Sequence, residues 1–154
     1  TLMDFTSPYA LIDAHFLVRG DSSLRQYQDV DKREVSIAVL ERSAYDLWLT
    51  ENLRHATIRR ASSMVEAREW FSRGAVTVLA GLKPALVEEV ANNPLYTVQE
   101  PRFTAIRQAI GIKKGSPEAL GFLNKIIKEM ISTGFIEDSL KKHGVLDKLS
   151  VPIF

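Results

Sequence analysis

EVSIAVLERSAYDLWLTENL, from Glu34 to Leu53, changes its hydrophobic period once and without a break. Val35–Leu40 is β-branched and apolar with only Ser36 interrupting, which predicts a short buried strand. Beyond Glu41 and Arg42, the residues Tyr45, Trp48, Leu49 and Leu53 recur at three- and four-residue spacings, the mark of an amphipathic helix. Ser43 and Asp46 have the spacing of a capping box, with serine as N-cap and the acid at N3. A strand that feeds straight into a capped helix leaves backbone N–H groups facing outward at the strand's carboxyl end. Those groups and the helix dipole favour an anion such as a carboxylate. The same pattern also fits a plain strand–helix junction in which Ser43 only caps.

Outward from this stretch the alternation repeats. Ala56–Arg59 reads as a short strand, and a helix follows over 62–73 with Met64, Ala67, Trp70 and Phe71 as its apolar marks. Gly74 stands where a left-handed C-terminal residue belongs. Val76–Ala80 is a third buried strand, Gly81 is its punctuation, and Leu82, Ala85, Leu86 and Val90 share one face of a helix over 82–91. Asn92-Asn93-Pro94 stops it. Three strand–helix repeats predict parallel strands joined by right-handed crossovers, an α/β lobe with helices 44–53, 62–73 and 82–91 on its two faces.

On the amino-terminal side, Asp4–Tyr9 is an extended approach and Ala14–Arg19 a strand closed by Gly20-Asp21; Gln26–Arg33 is polar and irregular. On the carboxyl-terminal side, Ala105–Ile112 reads as one strand. Ser116 and Pro117 open a long helix as N-cap and N1. Leu120, Leu123, Ile126, Ile127, Met130 and Ile131 give that helix a broad apolar face. Gly134 breaks it, a shorter helix runs to His143, and Gly144 ends that one. The tail is expected to pack through Val151 and Ile153.

Composition removes several chemistries. Of 154 residues, 45% are hydrophobic and 25% charged, and the net charge of +1 gives no electrostatic footing for nucleic acid. There is no cysteine, so thiolate, disulfide and cysteine–zinc sites are excluded. His15, His55 and His143 are far apart without metal-ligand spacing, so no metal and no cofactor are expected. No apolar run approaches the roughly 18–20 residues that span a bilayer. Thr1 followed by Leu2-Met3-Asp4-Phe5 reads as an internal stretch rather than a native start.

The residues now on the page carry a resemblance. DFTSPYALIDAHFLVRG, VSIAVLERSAYDLWL, GAVTVLAGLKPAL and AIGIKKGSPEALGFLNKIIKEMISTGFIEDSLKKHG resemble, in order and spacing, segments of bacterial extracellular solute-binding protein family 3. The resemblance implies the type II periplasmic binding protein fold, two α/β lobes around a cleft that closes on a ligand. By it, 1–20 is the end of the first lobe and a hinge strand, 21–104 the second α/β lobe. Residues 105–154 are then the return hinge strand and the carboxyl-terminal helices of the first lobe. Most of the first lobe, with the arginine that grips an amino acid's carboxylate, would lie upstream of Thr1.

The resemblance also implies a site. Ser43 falls where the family's hydroxyl meets ligand and Ala44 where a backbone N–H does. With Arg42, Tyr45, Gly81 and Leu82 they form the candidate ligand-binding set, and no catalytic residue is assigned. Arg42 replaces a usual glycine. Thr77 and Leu82 stand where the family carries aspartates, the second of which pairs with an α-ammonium. Leucine there argues against ordinary α-amino-acid recognition, because a buried ammonium without a carboxylate costs several kcal/mol. The implied function is the periplasmic or extracellular substrate-binding component of an ABC-type transporter, taking a small polar or carboxylate, amino-acid-like solute to a membrane permease. A ligand-sensing domain of a regulator and a dehydratase-like cleft enzyme are the alternatives on the same fold. The helix at 117–132, bared by the absent lobe, is expected to repack or to pair with a second copy as a homodimer.

Overall fold

The computed structural model describes residues 2–153. In chain order its elements are β1 (Met3–Phe5), β2 (Ala10–Arg19), α1 (Tyr27–Val30), β3 (Ser36–Leu40), α2 (Ala44–Asn52), β4 (Thr57–Ala61) and α3 (Met64–Ser72). They continue with β5 (Val78–Leu82), α4 (Lys83–Asn92), β6 (Tyr96–Val98), β7 (Thr104–Gln108), β8 (Gly111–Lys113), α5 (Pro117–Ser132) and α6 (Phe135–Lys142). The chain divides into two compact units: Asp13–Ala105, and the residues up to Ile12 together with those from Ile106 on.

In the unit Asp13–Ala105 the strands lie in the order β4–β3–β5–β2–β6. β3 is parallel to both β4 and β5, with Ile37 opposite Ile58 on one side and Val78 on the other. The three strands read from the alternation are thus parallel neighbours. β2 adds antiparallel to β5 and β6 adds antiparallel to β2, so the sheet is mixed. Successive side chains point to opposite faces. Leu17, Ala38 and Leu79 pack with Ala67 and Phe71 of α3 and Leu86 of α4. Phe16 points the other way, 4.3 Å from Phe103, whose ring lies 5.5 Å from Trp48 of α2. Helices therefore cover both faces, the three-layer α/β arrangement expected.

Several boundaries move, each for a hydrogen-bonding reason. β5 spans Val78–Leu82, not Val76–Ala80. Thr77 Oγ1 accepts the Ser36 N–H and donates to the Ser36 carbonyl, both at 3.0 Å, holding the strand starts together before the ladder begins. Gly81 and Leu82, read as punctuation and helix, pair with His15 and Ala14 of β2. β4 begins one residue late because the Ala56 N–H is taken by Asp31 Oδ1 at 3.0 Å, and it runs on to Ala61 opposite Leu40. α3 starts at Met64, after its Ser63 cap. The polar stretch Gln26–Arg33 contains the single turn α1, since Asp29 accepts the N–H groups of Arg25 and Gln26.

In the second unit, β1 and β8 form a two-stranded antiparallel ribbon, Phe5 opposite Gly111. The strand expected over Ala105–Ile112 is two strands, β7 and β8. They part at Ala109-Ile110, where the Ile110 N–H donates to Thr6 Oγ1 and its carbonyl accepts the Thr6 N–H, both at 3.0 Å. Ser116 precedes Pro117 as expected but makes no side-chain cap bond. Gly134 has φ 78°, where a side chain would be strained, and it separates α5 from α6. Ile127 is 3% exposed and Met130 half-buried, so this face of α5 is covered within the chain, the repacked outcome of the two expected. The tail corrects the sequence reading too: Val151 is half-buried but Ile153 is fully exposed.

Candidate ligand site at the carboxyl ends of the parallel strands

β3 ends at Leu40 and the chain turns through Glu41 and Arg42 into α2. The turn is held by the Ser43 N–H donating to the Leu40 carbonyl at 3.2 Å. Ser43 Oγ accepts the N–H of Asp46 at 3.1 Å, the N-cap bond read from the sequence. Asp46 does not close the box on the N-cap amide; its carboxylate reaches one residue further back, to the Arg42 N–H at 2.9 Å. That tether accompanies a φ of 60° at Arg42, a conformation a side chain disfavours and glycine takes freely.

Asp46 is only 3% exposed, and Arg60 of β4 places Nε 3.0 Å from its carboxylate. Arg60 Nη2 also donates to Thr50 Oγ1 at 2.8 Å. The buried acid is thus neutralised beside the helix, and the positive end of α2 keeps its own field. The amides of Ala44 and Tyr45 open α2, where no carbonyl one turn back can accept them. Ala44 is exposed and Ser43 partly so, which leaves these groups open to solvent.

The other candidates differ among themselves. Tyr45 is buried, its hydroxyl donating to Met64 Sδ at 3.4 Å, so its side chain belongs to the core and only its amide belongs to the rim. Burial pushes the Tyr45 pKa up, against opposing hydrogen-bond contributions from Ser43 and Leu40, so the hydroxyl stays protonated at neutral pH. Gly81 is buried, and a Cβ there would meet Leu86 Cδ2 at 3.0 Å; it makes room for α4 and does not face solvent. Leu82 is half-buried at the end of β5 and is the N-cap of α4 without a side-chain bond. Arg42 is exposed.

Two acids near Leu82 are engaged. Glu100 pairs with Lys83 at 3.0 Å, and Asp13 with Arg102. Sequence reading passed over His15, which is 1% exposed opposite Gly81. Its Nδ1 sits 2.8 Å from the Gln99 carbonyl and so carries the proton, while Nε2 has no partner among the described residues. No periodicity flags such a residue. Thr77 lies at the opposite end of the strands, beside a hollow of about 370 Å³ whose walls include Arg19, Asp21, Lys32, Glu34 and Val76. Arg19 there is committed to the Phe71 and Ser72 carbonyls that end α3. Open α/β sheets bind ligands outside the strands' carboxyl ends, which favours the Ser43 end over this hollow.

No family model and no curated protein matches the chain in sequence. Solved structures do match in fold. A protein described as the binding component of an ABC transporter from Wolinella succinogenes, complexed with lysine, has a TM-score of 0.75 at 19% identity, over 91% of this chain and 62% of its own. ArgBP from T. maritima gives 0.70 at 20% identity, over 91% and 61%. This is the solute-binding-protein fold. The ancestral amino acid-binding protein AncCDT-1, a precursor of cyclohexadienyl dehydratase, shares the solute-binding-protein fold at a TM-score of 0.69 and 25% identity, over 91% and 61%. The chain spans about three-fifths of the length of these solved proteins. The resemblance drawn from the sequence thus holds at the level of fold.

Proposed function

We propose that the chain is the ligand-binding part of a solute-binding protein serving an ABC-type transporter in the bacterial periplasm or outside the cell. It would hand a small carboxylate or other polar solute to a membrane permease. The observation that carries this reading is the solute-binding-protein fold with a partly open, Ser43-capped helix start at the end of a central parallel strand. The solved neighbours are described with amino acids bound, lysine, arginine and glutamate among them. Leu82 carries no charge to meet an ammonium, and Glu100 and Asp13 near it are paired with Lys83 and Arg102, which supports a carboxylate lacking that group. Binding rather than catalysis is the reading, since Asp46 is locked by Arg60 and supplies no poised acid or base.

The test is a titration followed by amide chemical shifts, using lysine, arginine and glutamate against their deaminated carboxylates. The Ala44 and Tyr45 amides are expected to move, and more with the deaminated acids. Affinity is expected to be weak, because a helix start contributes about 0.3–1 kcal/mol to anion binding. Shifts confined to the hollow beside Thr77, or none at millimolar carboxylate, would refute the site.

A further inference from the structure

The hollow beside Thr77 lies where the ladder between β2 and β5 stops. Leu17 pairs with Leu79, a register that would next set Arg19 opposite Thr77. The Thr77 N–H turns the other way and donates to the Ser36 carbonyl at 3.0 Å. The sheet therefore forks between the end of β2 and the start of β5. The space of about 370 Å³ at this fork is within the range of small-molecule sites. Val35 and Val76, both buried, supply its apolar wall.

Groups of both charges line the fork, and several have bonding capacity to spare. Arg19 is fixed before any ligand arrives, its guanidinium carbon 5.6 Å from the centre of the Phe71 ring and 6.0 Å from that of Tyr96. Its bonds to the Phe71 and Ser72 carbonyls use Nη2 alone, which leaves the Nε and Nη1 hydrogens for an anion. Ser22 Oγ accepts the Leu24 N–H at 3.1 Å and keeps its own hydrogen to donate. Facing these donors are Asp21 and Glu34, which enter no ion pair among the described residues. Lys32, the other cation of the lining, is paired with Asp29 at 3.5 Å. No three histidine, aspartate or glutamate side chains converge among the described residues, so the two acids do not form a metal cage. A lone anion would meet the acids, and a lone cation would meet Arg19. A zwitterion satisfies both.

We infer that this fork binds a small aliphatic α-amino acid. Its carboxylate lies on Arg19 and the Ser22 hydroxyl, its ammonium faces Asp21 and Glu34, and its side chain rests against Val35 and Val76. The site goes beyond the carboxylate site at Ser43, which lies at the other end of the strands, and either can fail without the other. The test is a titration of the whole chain, followed by amide shifts, with three probes. They are L-leucine, 4-methylpentanoate (leucine without its ammonium) and 3-methylbutylamine (leucine without its carboxylate). Leucine is expected to move the Ser22, Ser23 and Thr77 amides. Each half-molecule is expected to bind there about fivefold more weakly, the loss of one solvent-screened charged contact. Asp21→Asn with Glu34→Gln is expected to abolish the preference for leucine over 4-methylpentanoate. Both acids are exposed, so the variant keeps its fold, and whatever response Ala44 gives to 4-methylpentanoate is expected to be unchanged. Three results would overturn the inference: a half-molecule that binds the fork as well as leucine does, a preference that survives the double variant, or no shift at the fork at tens of millimolar leucine.

Discussion

The junctions β3–α2 and β4–α3 use one motif for two different ends. In each, a serine at the N-cap accepts the N–H of an acid at N3, Ser43 from Asp46 and Ser63 from Glu66, both at 3.1 Å. In each, that acid reaches back to the amide before the cap, Arg42 at 2.9 Å and Ser62 at 2.7 Å. Their surroundings differ. Asp46 is buried and paired with Arg60; Glu66 stands in water, its carboxylate held by the Ser62 hydroxyl at 2.8 Å as well as by the Ser62 amide. β3 is flanked by strands on both sides while β4 is the sheet's edge, so only the first junction sits inside the row of parallel strand ends. A shared capping signal in sequence is thus a statement about helix starts, and strand position decides which start can serve a ligand.

The largest expected contrast is between Asp46→Ala and Glu66→Ala. Removing Asp46 leaves the Arg42 amide and the Arg60 guanidinium without their acceptor in a shielded place. That costs about 2–3 kcal/mol, less than a fully buried pair because Arg60 is 40% exposed. Glu66→Ala is expected to shift the urea midpoint far less. Equal shifts would erase the distinction drawn between the two junctions.

Next in size are the caps themselves. Ser43→Ala and Ser63→Ala should each lose about 1 kcal/mol, since the cap bonds have the same length. Equal losses would sharpen the comparison if only Ser43→Ala also weakened the carboxylate-induced shift at Ala44. A change of opposite sign is expected at Arg42. Glycine adopts φ 60° without strain, so Arg42→Gly should gain about 0.5 kcal/mol after its larger unfolded-state entropy is counted. A loss on thermal unfolding would mean that the Arg42 side chain does more for the fold than its exposure suggests.

How much of this was legible in sequence follows from what each signal encodes. Ser43 and Asp46 were readable because capping is local, and the parallel core was readable because the period switches between two and 3.6. The end of β5 was not. Gly81 looks like a turn to any local rule, and only pairing with His15, 66 positions away by numbering, keeps it in the ladder. Tyr45 was readable as apolar but not as buried beneath Met64. The partner Arg60 was invisible for the same reason, since nothing local ties it to Asp46. The split of Ala105–Ile112 depends on Thr6, from the far end of the chain.

The smallest effect concerns pH. Bonds from the Ser62 hydroxyl, then the Ser62 amide, hold the Glu66 pKa below its ordinary value of 4.5, with burial opposing weakly. A carboxyl depressed in the folded state contributes stability that is present above its unfolded pKa and lost as pH falls through the folded one. Glu66→Gln should therefore lower stability slightly near pH 7, leave it little changed near pH 3, and so make the acid limb of the stability curve shallower. The limb should not vanish. Asp31 is also depressed: burial pushes it up, but the amides of Ala56, His55 and Arg54 outweigh that. Asp31→Asn in the Glu66→Gln background should flatten the limb again, and by more, because three backbone amides hold the Asp31 carboxylate where one holds Glu66. Urea titrations between pH 3 and 7 on the two single variants and the double variant decide it. A limb that stays as steep in Glu66→Gln as in the parent would show that water already screens the exposed junction completely.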